Sequence, residues 1–331
     1  VKPRSHRSRR EVLAALAGAA TALAGCSSEP TPGDRTTAEP EWTAVGSPTE
    51  MTLYGVTLTN EGPLAVGEGG RVVRRIDGDW RVELDGGPTG SHDGLTGVDA
   101  TANGRRVWFC GGSGTVGRFD VSDGTVTDAS APKGKTSTWE DVAVAGLAGQ
   151  EWLYLANGSG ELLQGRVGGD GVSWRSVVKP GPGSSILAVS FVDRGTGYVC
   201  DTSGNVFLTV DAGDEWRRIG VDGAGVNLHD VAPRGADDVS VAGGDGTVFR
   251  YNGFSWTPVN VGEADVHGVV RDRHEGFAVD ASGGVFELTR KGWKPEAVDN
   301  EAPLHDVTLG TVDFPEVAVG AGGTVLERSR R

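Results

Sequence analysis

From Leu53 onward the chain repeats one pattern: a short apolar strand ending in Val, a second strand, a small-residue turn centred on Gly, a third strand, then Gly-x-Trp or a relative of it. Aligned on the turn glycine, the copies fall at Gly70, Gly114, Gly160, Gly204, Gly246, Gly283 and Gly323. Seven units of about 40 residues, each built of strand-length segments, predict an all-β fold, a seven-bladed β-propeller with four-stranded blades.

Repeat five shows the pattern most cleanly, with LHDVA from Leu228 as the first strand and Val239–Trp256 carrying the second strand, the Gly246 turn and the third strand. Apolar and polar residues alternate with period two along the third strands, as half-buried antiparallel strands require. Fourth-strand tryptophans stand at Trp80, Trp174, Trp216, Trp256 and Trp293; repeat two has none at the matching place. Repeat seven, from Leu304, ends after its third strand, while an orphan EWTAV stands at Glu41–Val45. Trp42–Val45 is therefore expected to supply the missing outer strand of the last blade, a closure that removes open sheet edges.

Three segments follow: a leader at 1–25, a tether at 26–41 and the propeller at 42–331. Ser8-Arg9-Arg10 followed by Val12–Leu13 resembles a twin-arginine export signal, and Val12–Ala24 is too short and weakly apolar for a stable membrane span. Leu23-Ala24-Gly25-Cys26 resembles a lipoprotein signal-peptidase box, in which Cys26 becomes the lipid-modified first residue. Residues 27–40 contain Pro, Ser, Thr and acids and read as a flexible tether. The expected location is the outer face of the cell membrane, reached by the twin-arginine route.

The net charge is −14, and residues 1–25 hide part of the excess by holding five Lys/Arg and one Glu. An acidic surface with only six lysines against 25 arginines argues against nucleic acid or anionic lipid as partner. It fits solubility in concentrated salt and hence a halophilic source. Cys110 and Cys200 occupy the same second-strand place in blades two and four; a whole blade separates them, so both are expected as buried core thiols rather than a disulfide.

Thr209-Val210-Asp211-Ala212-Gly213-Asp214-Glu215-Trp216 matches the Asp-box pattern S/T-x-D-x-G-x-x-W. Asp211 can bond its own turn, Gly213 supplies positive φ and Trp216 covers the blade, so Thr209, Asp211, Gly213 and Trp216 are expected to be structural. With the seven-fold repeat, this box resembles the BNR/Asp-box propellers, a group that includes sialidase-type glycosidases and photosystem II assembly-factor-like propellers. The resemblance spans Trp42 to Arg328, and the short, regular blades look nearer to the assembly-factor-like set. The sialidase Arg-Ile-Pro motif is missing, and its Tyr–Glu nucleophile pair finds no match at Tyr54, Tyr154, Tyr198 or Tyr251.

His229, His267 and His305 recur 38 residues apart at one first-strand position of blades five, six and seven. Three imidazoles at the channel mouth would form a metal site only if all three nitrogens met one ion at about 2 Å. The alternative is hydrogen-bonded bracing, with Asp230 and Asp306 beside two of them, and no metal or cofactor is expected. Asn157-Gly158-Ser159 is a glycosylation sequon on an expected exposed turn. Two loops exceed repeat length, Asp85–Leu95 and Ala129–Trp139, both joining a fourth strand to the next first strand and hence on one rim. The second carries Lys133 and Lys135, a basic spot on an acidic body.

These residues imply a lipid-anchored, monomeric, non-enzymatic propeller with a protein partner at the membrane and an assembly or scaffold role. The alternative is a carbohydrate-binding or glycosidase-like propeller, which would need acids and aromatics such as Asp141, Asp230, Asp306 and Trp139 converging at the channel mouth.

Overall fold

A computed structural model describes residues 40–328, apart from 170 and 222. Arg9, Arg10 and Cys26, and nearly all of the tether, lie outside the described residues. Each of the first six repeats folds into one four-stranded antiparallel sheet, repeat seven gives three strands of a seventh, and the seven sheets are the blades of a propeller. The second strands are the most apolar segments of the chain, and Gly62–Gly67, Gly197–Asp201, Gly276–Asp280 and Glu316–Gly320 are buried at every residue. A strand buried on both faces needs a neighbour on each side, which a ring of blades provides. The fourth strands face outward and are largely exposed, as in Arg217–Gly220 and Trp256–Asn260.

The core is accordingly divided into layers between blades. Seven apolar clusters are each shared by two adjacent blades. Cys110 lies in the layer between blades two and three and Cys200 in the layer between blades four and five. Both are free thiols without surface exposure, and burial pushes both well above the ordinary thiol range.

The ring closes as the repeat pattern predicts. Trp42–Ala44 pairs antiparallel with the third strand of blade seven, Trp42 opposite Arg328 and Ala44 opposite Leu326, and the Val45 N–H donates to the Val325 carbonyl at 3.0 Å. Trp42 is 2% exposed and sits edge-on to Phe277 of blade six, with ring centroids 5.3 Å apart. The closing blade is also tied to blade one. Glu327 Oε1 accepts hydrogen bonds from Arg75 Nε and Trp80 Nε1, each at 2.8 Å.

Candidate functional site

Every first strand carries a bulge at its second residue. The pairing register skips from Leu53 to Gly55, Leu95 to Gly97, Trp139 to Asp141, Ile186 to Ala188, Leu228 to Asp230, Val266 to Gly268 and Leu304 to Asp306. A bulge frees one side chain from the pleat and re-aims it. The seven freed residues, Tyr54, Thr96, Glu140, Leu187, His229, His267 and His305, ring one mouth of the central channel. The bulge has no compositional mark and was not apparent from the sequence, although the shared position of the histidines was.

Behind this ring lie four aspartates that join blade to blade. Each accepts the N–H of the residue after it with Oδ1, at 2.7–2.8 Å, in Asp99, Asp141, Asp230 and Asp306. With Oδ2 each accepts a backbone N–H from the next blade: Val144 for Asp99, Val189 for Asp141, Val269 for Asp230 and Val56 for Asp306. The blade before Asp141 and the blade before Asp306 carry glycine at the facing place. A Cβ at Gly97 would stand 2.6 Å from Asp141 Cα, and one at Gly268 would stand 3.0 Å from Asp306 Cα.

The narrow channel leaves these carboxyls partly open to water, yet protein surrounds them and, among the described residues, no cation is paired with them. Enclosure therefore outweighs residual exposure and disfavours their charged form. Asp99 is pushed up to about 7 by burial, against its backbone hydrogen bonds. Asp141, Asp230 and Asp306 are raised for the same reason, and neighbouring acids raise Asp141 and Asp306 further. Both oxygens of Asp141, Asp230 and Asp306 are engaged as blade clamps, and Trp139 is fully buried in the layer between blades two and three. The converging group of free acids and an exposed tryptophan that a glycosidase would need is not what these residues form.

The three histidines do come together. His229 and His267 meet edge to face with centroids 5.4 Å apart; His267 and His305 stack at 5.4 Å with planes 9° apart; Tyr54 continues the arc 5.3 Å from His305. His267 Nδ1 lies 2.9 Å from the Leu304 carbonyl, which can only accept, so this nitrogen carries the proton. Thr96 makes the equivalent contact to the Trp139 carbonyl at 2.6 Å. Burial, and then the neighbouring His267, holds His229 and His305 below their ordinary value. Stacked rings send their in-plane lone pairs alongside one another rather than toward one point. Among the described residues no group of three or more His, Cys, Asp or Glu is arranged to hold a metal. The arc is a packed aromatic wall.

The two long loops lie on one rim, as expected, because each leans on a neighbouring turn between second and third strands. Gly87 N–H donates to Gly70 O at 2.9 Å, Ala131 N–H donates to Gly114 O at 2.8 Å, and Ser113 Oγ donates to Asp93 at 2.8 Å. The basic spot is smaller than the sequence implies. Lys135 is paired with Glu161 at 2.7 Å, leaving Lys133 exposed and without an ion-pair partner among the described residues. A pairing across 26 residues and two blades leaves no local signal.

The turn from Thr209 to Trp216 is a brace. Thr209 Oγ1 donates to Asp211 Oδ1 at 2.7 Å, Asp211 Oδ1 accepts the Glu215 N–H at 3.0 Å, and Trp216 Nε1 donates to Gly213 O at 3.2 Å. The Glu215 N–H holds the Asp211 carboxyl below its ordinary value. Asn157 opens the exposed turn that was expected but is itself buried. Its side chain is 1% exposed, with Oδ1 accepting the N–H groups of Ser159 and Glu161 at 3.0 and 3.1 Å. Asp201 and Asp280 brace the corresponding turns of blades four and six, so this asparagine serves the repeat.

No protein-family model matches the chain, and no curated protein sequence matches it. Solved structures share the fold. Virginiamycin B lyase from Staphylococcus aureus superposes with a TM-score of 0.70 at 13% identity, over 88% of this chain and 100% of that one. YCF48 from Cyanidioschyzon merolae gives 0.69 at 16%, over 87% and 98%. U3-55K gives 0.74 at 11%, over 88% and 100%. A likeness at these identities is one of architecture, and the same ring serves unrelated activities.

Proposed function

We propose that this chain is an exported, lipid-anchored propeller of the BNR/Asp-box type that holds a protein partner at the outer face of the membrane. The observation that carries the reading is the pre-formed rim. Loops longer than the repeat requires are fixed to the ring by backbone hydrogen bonds at Gly70 and Gly114. Loops already ordered lose little entropy on binding, which favours a specific macromolecular contact. The channel-mouth aspartates are occupied in holding blades together, so nothing at those positions favours the glycosidase alternative.

The Arg9-Arg10 pair, the apolar stretch and the box ending in Cys26 support export and anchoring. A protein of the same fold, YCF48, with 13% identity to this chain, has been solved bound to D1 peptide, which supports a protein segment as the partner. The test is fractionation of cells carrying the intact chain or Cys26→Ser, followed by cross-linking in native membranes. The intact chain should pellet with membranes and cross-link to a discrete protein, and the variant should be released. Recovery of the intact chain from the cytoplasm, or no protein cross-link, would overturn the reading.

A further inference from the structure

In each blade the turns that join first to second strand and third to fourth strand lie at one end of the sheet, opposite the rim of the two long loops. Among the described residues seven large apolar side chains stand exposed, and five belong to those turns: Leu147, Val192, Val210, Phe254 and Val312. Met51 is on the other rim and Val82 on an outer strand. Phe254 and Val312 are almost wholly in solvent, at 96% and 95% exposed. Neither turn depends on an apolar tip. Asn252 Oδ1 accepts the N–H groups of Phe254 and Ser255 at 3.0 and 2.9 Å, and the Thr311 N–H donates to the Phe314 carbonyl at 2.8 Å.

The same end of the ring receives the chain. Trp42 starts the closing strand opposite Arg328, the last residue of the third strand of blade seven, so residue 41 lies where third strands finish. Glu327, opposite Thr43, lines a recess together with Val312 and Phe314, which puts the Val312 turn beside this entry. Residues 27–40 separate the entry from Cys26 and can reach no farther than about 50 Å. Charge limits the kind of lipid. On these turns acids outnumber bases, with Arg290 and Lys291 as the local exception, and Asp193, Asp211 and Asp313 stand beside three of the five apolar tips. Such a face is repelled by anionic lipid and suits a zwitterionic headgroup, whose cation is outermost.

We propose that this end of the ring rests on the membrane, with Phe254 and Val312 set into the headgroup layer of a zwitterionic bilayer. The inference rests on the anchoring through Cys26 proposed above and adds an orientation to it, with the long-loop rim turned away from lipid. Two apolar side chains hold only weakly by themselves. The anchor makes their insertion an intramolecular step, which needs no strong affinity.

The test is fluorescence quenching from within the bilayer. The lipidated chain, purified from native membranes, is reconstituted in phosphatidylcholine vesicles with bromine on the upper acyl carbons. It carries an environment-sensitive dye on Ser255→Cys, on Asp313→Cys or, as control, on Thr89→Cys of the long-loop rim. Cys110 and Cys200 are buried and do not compete for the dye. Dyes at 255 and 313 should shift to the blue and be quenched severalfold relative to the dye at 89. Adding Phe254→Asp and Val312→Asp together should restore the emission at 255 and 313, with thermal melting unchanged and the chain still sedimenting with the vesicles.

Equal emission from all three positions, or quenching that persists in the double variant, overturns the orientation while the anchor stands. A photo-reactive residue at 254 that captures a protein rather than lipid in native membranes gives this face to a partner and overturns it too. A Cys26 shown by mass to carry no lipid removes the anchoring reading and this proposal with it.

Discussion

The side-chain carboxyl of Asp306, in blade seven, accepts the backbone N–H of Val56, in blade one, at 2.8 Å. This bond spans the seam where the two ends of the repeat array meet. Asp306→Ala leaves the Val56 and Val307 N–H groups without that acceptor and should destabilise the propeller by about 1–3 kcal/mol. Asp306→Asn keeps one carbonyl oxygen and should cost less. Urea denaturation of the two variants against the parent measures the difference.

The buried carboxyls also set a pH dependence. Asp99 is raised to about 7, against about 3.9 for an unfolded aspartate. The folded state therefore keeps a proton that the unfolded state has lost, and this contribution is full below about pH 4 and disappears as pH rises through about 7. Asp230 and Asp306 act in the same direction. His229 and His305, held below their ordinary value, act oppositely but only below about pH 6.5. The melting temperature should thus fall by about 2 °C or more between pH 6.5 and 9, and by less in Asp99→Asn. Equal slopes in parent and variant would falsify the assignment.

Closure of the ring depends on Trp42, which is buried against Phe277. Trp42→Ala should cost about 3–5 kcal/mol, as for other buried aromatic truncations. Thr43→Ala, at an exposed position of the same strand, should stay within about 0.5 kcal/mol. Limited proteolysis should then remove the N-terminal strand from the Trp42 variant first.

Thiol chemistry gives an independent check of the core. In a Cys26→Ser background, Cys110 and Cys200 should be silent toward a thiol reagent at pH 8, because both are buried and hard to ionise. Both should react in denaturant without prior reduction. Native labelling of either one would place it outside the inter-blade layers.

Fold and closure were readable because they follow from local hydrogen bonding that each repeat encodes for itself. Glycine turns, alternating strands and one displaced Trp42 sufficed. What joins one blade to the next was much less readable. Asp99 performs the task of Asp141, Asp230 and Asp306 but sits two residues further along its strand, so alignment by repeat passes over it. The His229, His267 and His305 coincidence was visible, whereas their stacking depends on the twist between blades. Trp139 begins its strand next to the channel residues, yet its side chain faces the neighbouring blade. Lys135 meets Glu161 only because two turns converge on the same rim.

The Trp42–Ala44 strand also has a mechanical meaning. It is the segment of the ring nearest in sequence to the proposed anchor, and it pairs with only one strand, Val325–Arg328. Tension arriving through residue 41 would load this clasp before any other blade. A pull on the tether would therefore peel away the outer strand first and expose the edge of Val325–Arg328, while the other six blades kept their own complete sheets.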